Sequence, residues 1–205
     1  MRKLAGITIA LFQAVALLIG LTSCGARSIR VPAEDLLIDD LSLFPTGWTV
    51  DLPPFSARDR LDILMDQGAI DFADVGFASP DDHLDFLGAN QVIWNFESSV
   101  EAVWEFRRRF RPPDSSFSIE QLGGAAYHSE VADRFRLYCT LQELTLQIKG
   151  EERWTACTAI GQYGEYISQF TAVVGNEYNM SPADFERILR AIDEKISTSL
   201  DSHTP

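Results

Sequence analysis

The sequence is poor in the side chains that most enzymes and metalloproteins depend on. It holds only three histidines and three cysteines in 205 residues. No Cys-x-x-Cys pair occurs, and no histidine stands close in sequence to Cys139 or Cys157, so the usual spacings of zinc sites and dithiol redox motifs are missing. His128 and His203 are isolated, which leaves no Ser-His-Asp or Cys-His constellation to nominate. Gly123-Gly124 lacks the G-x-G-x-x-G and Walker patterns of phosphate loops and reads as a turn or a close packing contact. Positive charge is scarce as well: 17 Lys and Arg face 30 Asp and Glu, for a net charge of −13. A surface this acidic repels phosphate backbones and excludes nucleic acid as a partner. There is no internal repeat and no low-complexity tract. No cofactor and no metal are expected.

What the chain does have is apolar mass and an asymmetric start. Hydrophobic residues make up 46%, thirteen of them Phe, enough to build the core of one domain. Arg2-Lys3 precedes a stretch, Leu4 to Leu21, that is apolar apart from Thr8 and Gln13 and ends in small residues before Cys24. Leu21-Thr22-Ser23-Cys24 resembles the lipobox of bacterial lipoproteins. That resemblance implies that residues 1–23 are a signal peptide and that Cys24 becomes the acylated first residue, carrying diacylglyceryl and further acyl chains such as palmitate. It also implies a location on the extracytoplasmic side of a cell membrane or envelope. The rival is an uncleaved transmembrane anchor, since the apolar run approaches bilayer length. A stop-transfer segment would show a cationic flank where this run ends in small residues and a cysteine. Loss of residues 1–23 removes two cations and no acid, taking the net charge from −13 to −15.

With Cys24 assigned to lipid, Cys139 and Cys157 remain as an even pair in an oxidising compartment, and a disulfide between them is expected. Closing a loop of that size stabilises a fold by about 3 kcal/mol in the chain-entropy treatment.

Residues 24–34 lack periodicity and read as a lipidated tether, leaving 35–205 as a single globular domain. Glu34 to Leu43 reads as a short helix ended by the Phe44-Pro45-Thr46-Gly47 turn. Gln91 to Phe96 has strand composition. Ser98 or Ser99 caps a helix from Val100 to Phe110, with Val100, Val103, Trp104 and Phe110 as its expected buried stripe and Pro112-Pro113 as its stop. Alternation at Leu144, Leu146 and Ile148, a turn at Gly150-Glu151-Glu152, a return strand from Trp154 to Tyr163, a turn at Gly164-Glu165 and a strand from Tyr166 to Val174 make an antiparallel meander. A tight hairpin centred on Glu151 would not place Cys139 opposite Cys157. Either the strand breaks near Gln142-Glu143, or Cys139 sits on a separate element, for Val131, Phe135 and Tyr138 are spaced like one helix face. Ser181-Pro182-Ala183-Asp184 starts the last helix, whose stripe is Phe185, Ile188, Leu189, Ile192, Ile196 and Leu200. Laid on the meander, that stripe gives an α+β fold, an antiparallel sheet packed against helices. The element order is loosely similar to exported lipoproteins of PsbP-like or Mog1-like fold, which implies a role in binding or assembly.

Several residues invite sharper readings. Asp81-Asp82-His83-Asp85 offers oxygen and nitrogen ligands, yet Ser79-Pro80-Asp81-Asp82 also reads as a helix start and lacks the spacing of a calcium loop. Arg107, Arg108, Arg109 and Arg111 form the one basic run, either a contact for an anionic surface or a solvated face paired with carboxylates. Trp48, Phe55, Phe72, Phe77, Phe86, Trp94, Phe96 and Trp104 line a hydrophobic cavity or fill a core. Two function classes follow. One is a non-enzymatic, membrane-anchored domain acting as an assembly factor, sensor or carrier that binds an envelope component, a protein or a small apolar ligand. The other is an exported hydrolase or redox accessory with Asp81, Asp82 or Glu130 in a cleft. An enzyme needs convergent polar groups in its pocket, and a carrier needs an apolar cavity with few of them.

Overall fold

The computed structural model describes residues 31–58, 68–80, 88–146, 150–175 and 179–203. Cys24, Asp81, Asp82, His83, Asp85 and Phe86 lie outside the described residues. Six strands, β1 (Thr49–Arg58), β2 (Ala69–Ala78), β3 (Gly88–Phe96), β4 (Arg134–Leu146), β5 (Gly150–Tyr163) and β6 (Tyr166–Val173), form one sheet in the order β1-β2-β3-β6-β5-β4. Every neighbouring pair is antiparallel. Among the described residues two α-helices complete the α+β architecture: α1 (Ser99–Arg109) and α2 (Pro182–Asp201).

Strand periodicity sends alternate residues to opposite faces of the sheet. On the inner face, Val75 and Phe77, Ile93, Ala159 and Tyr163, and Phe170 and Ala172 are buried in the main core. The stripe expected on α2 covers this face: Phe185, Ile188, Leu189, Ile192 and Ile196 are buried there, with Leu200 packed at the margin. The start of α2 is fixed by a reciprocal cap. Ser181 Oγ accepts from the Asp184 N–H at 3.2 Å, while the Asp184 carboxylate accepts from the Ser181 N–H at 3.1 Å.

The chain before β1 fills the rest of the inner face. The expected helix over Glu34 to Leu43 is instead two 3-10 turns, Ala33–Leu36 and Leu41–Leu43, separated by extended backbone. Extension lets Leu36, Leu37 and Ile38 all be buried, which a single helical face would not permit. The Ile38 N–H donates to Gln91 Oε1 at 2.7 Å and the Ala33 N–H to Asp71 Oδ2 at 2.8 Å. Val31 and Ala33 are already core residues, so the domain takes in part of the segment read as tether.

The hairpin register differs from the expected one. Leu146 pairs with Gly150, so Gly150-Glu151-Glu152 belongs to β5 and is not the turn. This register sets Cys139 directly opposite Cys157, with Cα atoms 4.0 Å apart and the disulfide formed. The Cys139 N–H and C=O turn away from β5 to Phe117, at 2.8 and 2.9 Å. The cysteines therefore form a non-hydrogen-bonded pair, the narrow kind in an antiparallel ladder. Val131, Phe135 and Tyr138 are not a helix face: the last two lie in β4, on opposite sides of the sheet. The Gly164-Glu165 turn is as expected, a two-residue hairpin joining Tyr163 to Tyr166, with Gly164 at φ 60°.

Edge strand β1 is irregular between Val50 and Phe55, where Pro53-Pro54 offers no N–H to the ladder.

Candidate functional site

The outer sheet face is only partly covered. Helix α1 crosses one end of it, placing Ala102 and Phe106 over Phe96, Ile160 and Ile167, with Trp94, Phe110 and Tyr138 around them. Ser98 is the cap, its Oγ accepting from the Glu101 N–H at 3.3 Å. The other end of α1 is held by Arg136 of β4, which donates to the Phe106 carbonyl at 2.9 Å and to the Phe110 carbonyl, with its guanidinium 4.5 Å from the Phe106 ring centre. A cation on the last carbonyls also suits the helix dipole.

Beyond α1, the same face opens into a trough of about 360 Å³. Its floor is made of small side chains contributed by neighbouring strands: Gly76 and Ala78, Gly88 and Asn90, Thr171 and Val173, and Ala156. Leu52 of β1 and Trp154 of β5 stand at its two sides. Smallness here is enforced by geometry. A Cβ on Gly88 would lie 2.0 Å from the Phe77 carbonyl oxygen, and one on Gly76 would meet the Leu52 Cβ at 2.9 Å. The polar groups facing the trough are few: Asp51 at the rim, the Asn90 amide and the Thr171 hydroxyl, which is 3.2 Å from that of Thr158.

A second cavity, about 450 Å³, lies beside α2 and contains the polar groups an enzyme reading would use: Tyr127, His128, Glu130, Arg190, Asp193 and Glu194. Its centre is a clasp. The Tyr127 and Tyr163 hydroxyls both donate to the buried Asp193 carboxylate, one to each oxygen. Gly161 permits this, because the Tyr163 side chain lies across it where a Cβ would be 2.4 Å from the hydroxyl. Burial first, and then the neighbouring Asp193, push both phenols above their ordinary range, so they stay protonated as donors. Each Asp193 oxygen thus holds one phenol in place. His128 stacks edge-on to Phe135, with ring centres 6.0 Å apart, and Glu130 is exposed. The arrangement fastens the segment around Tyr127 to the sheet and α2.

The other nominated residues are dispersed. Trp48, Phe72, Phe77 and Phe96 are core, whereas Phe55 is 51% and Trp104 is 69% exposed. The stripe expected on α1 is corrected: Val100 and Trp104 face outward, and the buried residues are Ala102 and Phe106. In the basic run, Arg108 and Arg109 both pair with Glu105, Arg108 at 2.9 Å, while Arg107 and Arg111 are exposed. Gly123, at φ 81°, ends the short 3-10 helix Ile119–Leu122, and Gly124 packs against Pro182, so that pair is both turn and close contact. His203 closes the end of α2, its Nδ1 2.8 Å from the Ser199 carbonyl oxygen. Sequence reasoning missed the trough and the clasp. The clasp joins residues 66 and 30 positions apart, and the trough is marked only by small residues on several strands.

No family model matches the sequence, and no curated protein matches it. Among solved structures the chain is similar to the extracellular domain of PknH from Mycobacterium tuberculosis, at 9% identity over 82% of this chain and 99% of that one, with a TM-score of 0.45.

Proposed function

We propose that this chain is an exported lipoprotein, anchored through acyl chains on Cys24, whose domain is a non-enzymatic binding module taking a small apolar or extended ligand on its outer sheet face. The observation that carries the binding role is the trough: a floor of mostly small apolar residues kept clear by Gly76 and Gly88, with Asn90 and Thr171 as its two neutral polar groups and one rim carboxylate to orient an occupant. Export is supported by the N-terminal pattern and by the buried Cys139–Cys157 disulfide, a bond that persists in oxidising compartments. Against a hydrolase stands the Asp193 clasp, whose buried carboxylate ties two phenols together in a structural role.

The trough is tested with N-phenyl-1-naphthylamine, a neutral dye that brightens in apolar surroundings. Dye emission should rise with wild-type protein, and Thr171→Trp, which fills the trough from its floor, should abolish the rise. Equal brightening by both proteins would refute the assignment. The anchor is tested separately: Cys24→Ala should release the chain from membranes, and unchanged processing and membrane association would refute lipidation.

A further inference from the structure

Helix α1 turns an unusual stripe to solvent. Val100, Trp104 and Arg107 follow one another at intervals of four and three residues, so they share one side, opposite the buried Ala102 and Phe106, and Arg111 is exposed two residues past the helix end. Val100 is 65% and Trp104 is 69% exposed. A large aromatic and a β-branched residue held in water on a rigid helix have no folding role there, for they bury nothing of the core. Arg107 and Arg111 have no carboxylate partner among the described residues, while Glu105 is already neutralised by Arg108 and Arg109. The exposed acids on this flank are Glu101, about two turns before Arg108, and Asp114, three residues after Arg111. In a chain of net charge −13, unpaired cations beside an exposed Trp mark a local exception, not a general surface property.

The stripe also lies at the end of the domain where the chain enters. The Val31 carbonyl accepts from the Tyr166 hydroxyl at 2.8 Å, Tyr166 pairs with Asn95 near the end of β3, and α1 starts three residues later at its Ser98 cap. Seven residue steps separate Val31 from Cys24, a reach of at most about 25 Å whatever their conformation. Two more cations, Arg27 and Arg30, lie within that stretch.

We propose that this side of α1 seats the domain on an anionic lipid surface, with Trp104 and Val100 at the headgroup level and Arg107, joined by Arg111 just past the helix, against lipid phosphates. Trp favours that interface because its ring is apolar and its N–H is polar, and Arg pairs with phosphate in two-pronged fashion. The inference deepens the membrane-anchored reading, and rests on it only for the presence of a membrane nearby.

The test uses the chain from residue 24 with Cys24→Ala, so that no acyl chain contributes, in sedimentation with vesicles of phosphatidylglycerol and phosphatidylcholine or of phosphatidylcholine alone. Binding is expected to the anionic vesicles in low salt. The Arg107→Glu/Arg111→Glu variant should bind about 30-fold more weakly or worse, from the loss of two surface cations. Trp104→Ser should also weaken binding without lowering the melting temperature, since Trp104 is exposed. Equal binding to neutral and anionic vesicles, or no change in either variant, overturns the proposal. A concentration-dependent dimer abolished by Trp104→Ser, with no vesicle binding, overturns it too and assigns the stripe to a second copy. Failure of lipidation at Cys24 would leave the vesicle result untouched, so the two readings fail separately.

Discussion

The Asp193 clasp makes a prediction whose arithmetic can be done in advance. Asp193→Ala removes an acceptor shared by two phenols. Hydrogen bonds to a charged group contribute about 1.5–3 kcal/mol each. The Tyr127 hydroxyl is half-buried and recovers water, placing its loss at the low end, whereas the Tyr163 side chain is buried and keeps only the neighbouring Ser129 hydroxyl, placing its loss at the high end. The expected cost is about 4 kcal/mol. Removing every polar atom together, in Tyr127→Phe/Tyr163→Phe/Asp193→Leu, should instead leave stability within about 1 kcal/mol of wild type, because apolar replacement of a complete buried network is often neutral. The assay is urea unfolding followed by circular dichroism with the disulfide intact. A cost below about 1 kcal/mol for Asp193→Ala, or a triple variant as unstable as the sum of its parts, would refute the clasp as a coupled unit.

Other perturbations test the remaining features. Reduction of Cys139–Cys157, which closes a separation of 18 residues, should lower unfolding free energy by about 3 kcal/mol, and denaturant midpoints with and without reductant read it directly. Gly88→Ala should cost more than the roughly 1–3 kcal/mol usual for overpacking, since its Cβ would meet the backbone oxygen of Phe77, which cannot rotate away; melting temperature is the check. Burial raises the pKa of Asp74, whose Oδ1 has no hydrogen-bond partner among the described residues. A raised folded value means that stability is fully present below the unfolded pKa of about 3.9 and is lost as pH rises through the folded pKa. Asp74→Asn should flatten that decline in melting temperature, and an unchanged slope would reject the assignment.

What could be read in advance followed from how local each signal was. Helix α2 was legible because Ser181, Pro182 and Asp184 start it and six apolar residues keep one spacing. The position of α1 was legible from Ser98, but its buried side was not. Apolar residues surround that helix, and the sheet chooses among them: Ile160 and Ile167 receive Ala102 and Phe106, leaving Val100 and Trp104 outside. Gly150-Glu151-Glu152 has turn composition, yet a register that brings the two cysteines face to face prevails over local preference. Glu34 to Leu43 misled for a similar reason: the hydrogen bond from the Ile38 N–H to Gln91, distant in sequence, holds it extended between its 3-10 turns. The trough was invisible because nothing in a single strand says that its small residues stand beside other small ones.

The two consecutive prolines in β1 decide how anything can approach this sheet. An incoming strand would seek a continuous row of donors along the outermost chain, and there it meets two imide nitrogens inside a misregistered stretch. A visitor is thereby turned away from lengthening the sheet along that border. Recognition along that border is left to side chains instead of to backbone zippering, and copies of the chain are kept from joining border to border there.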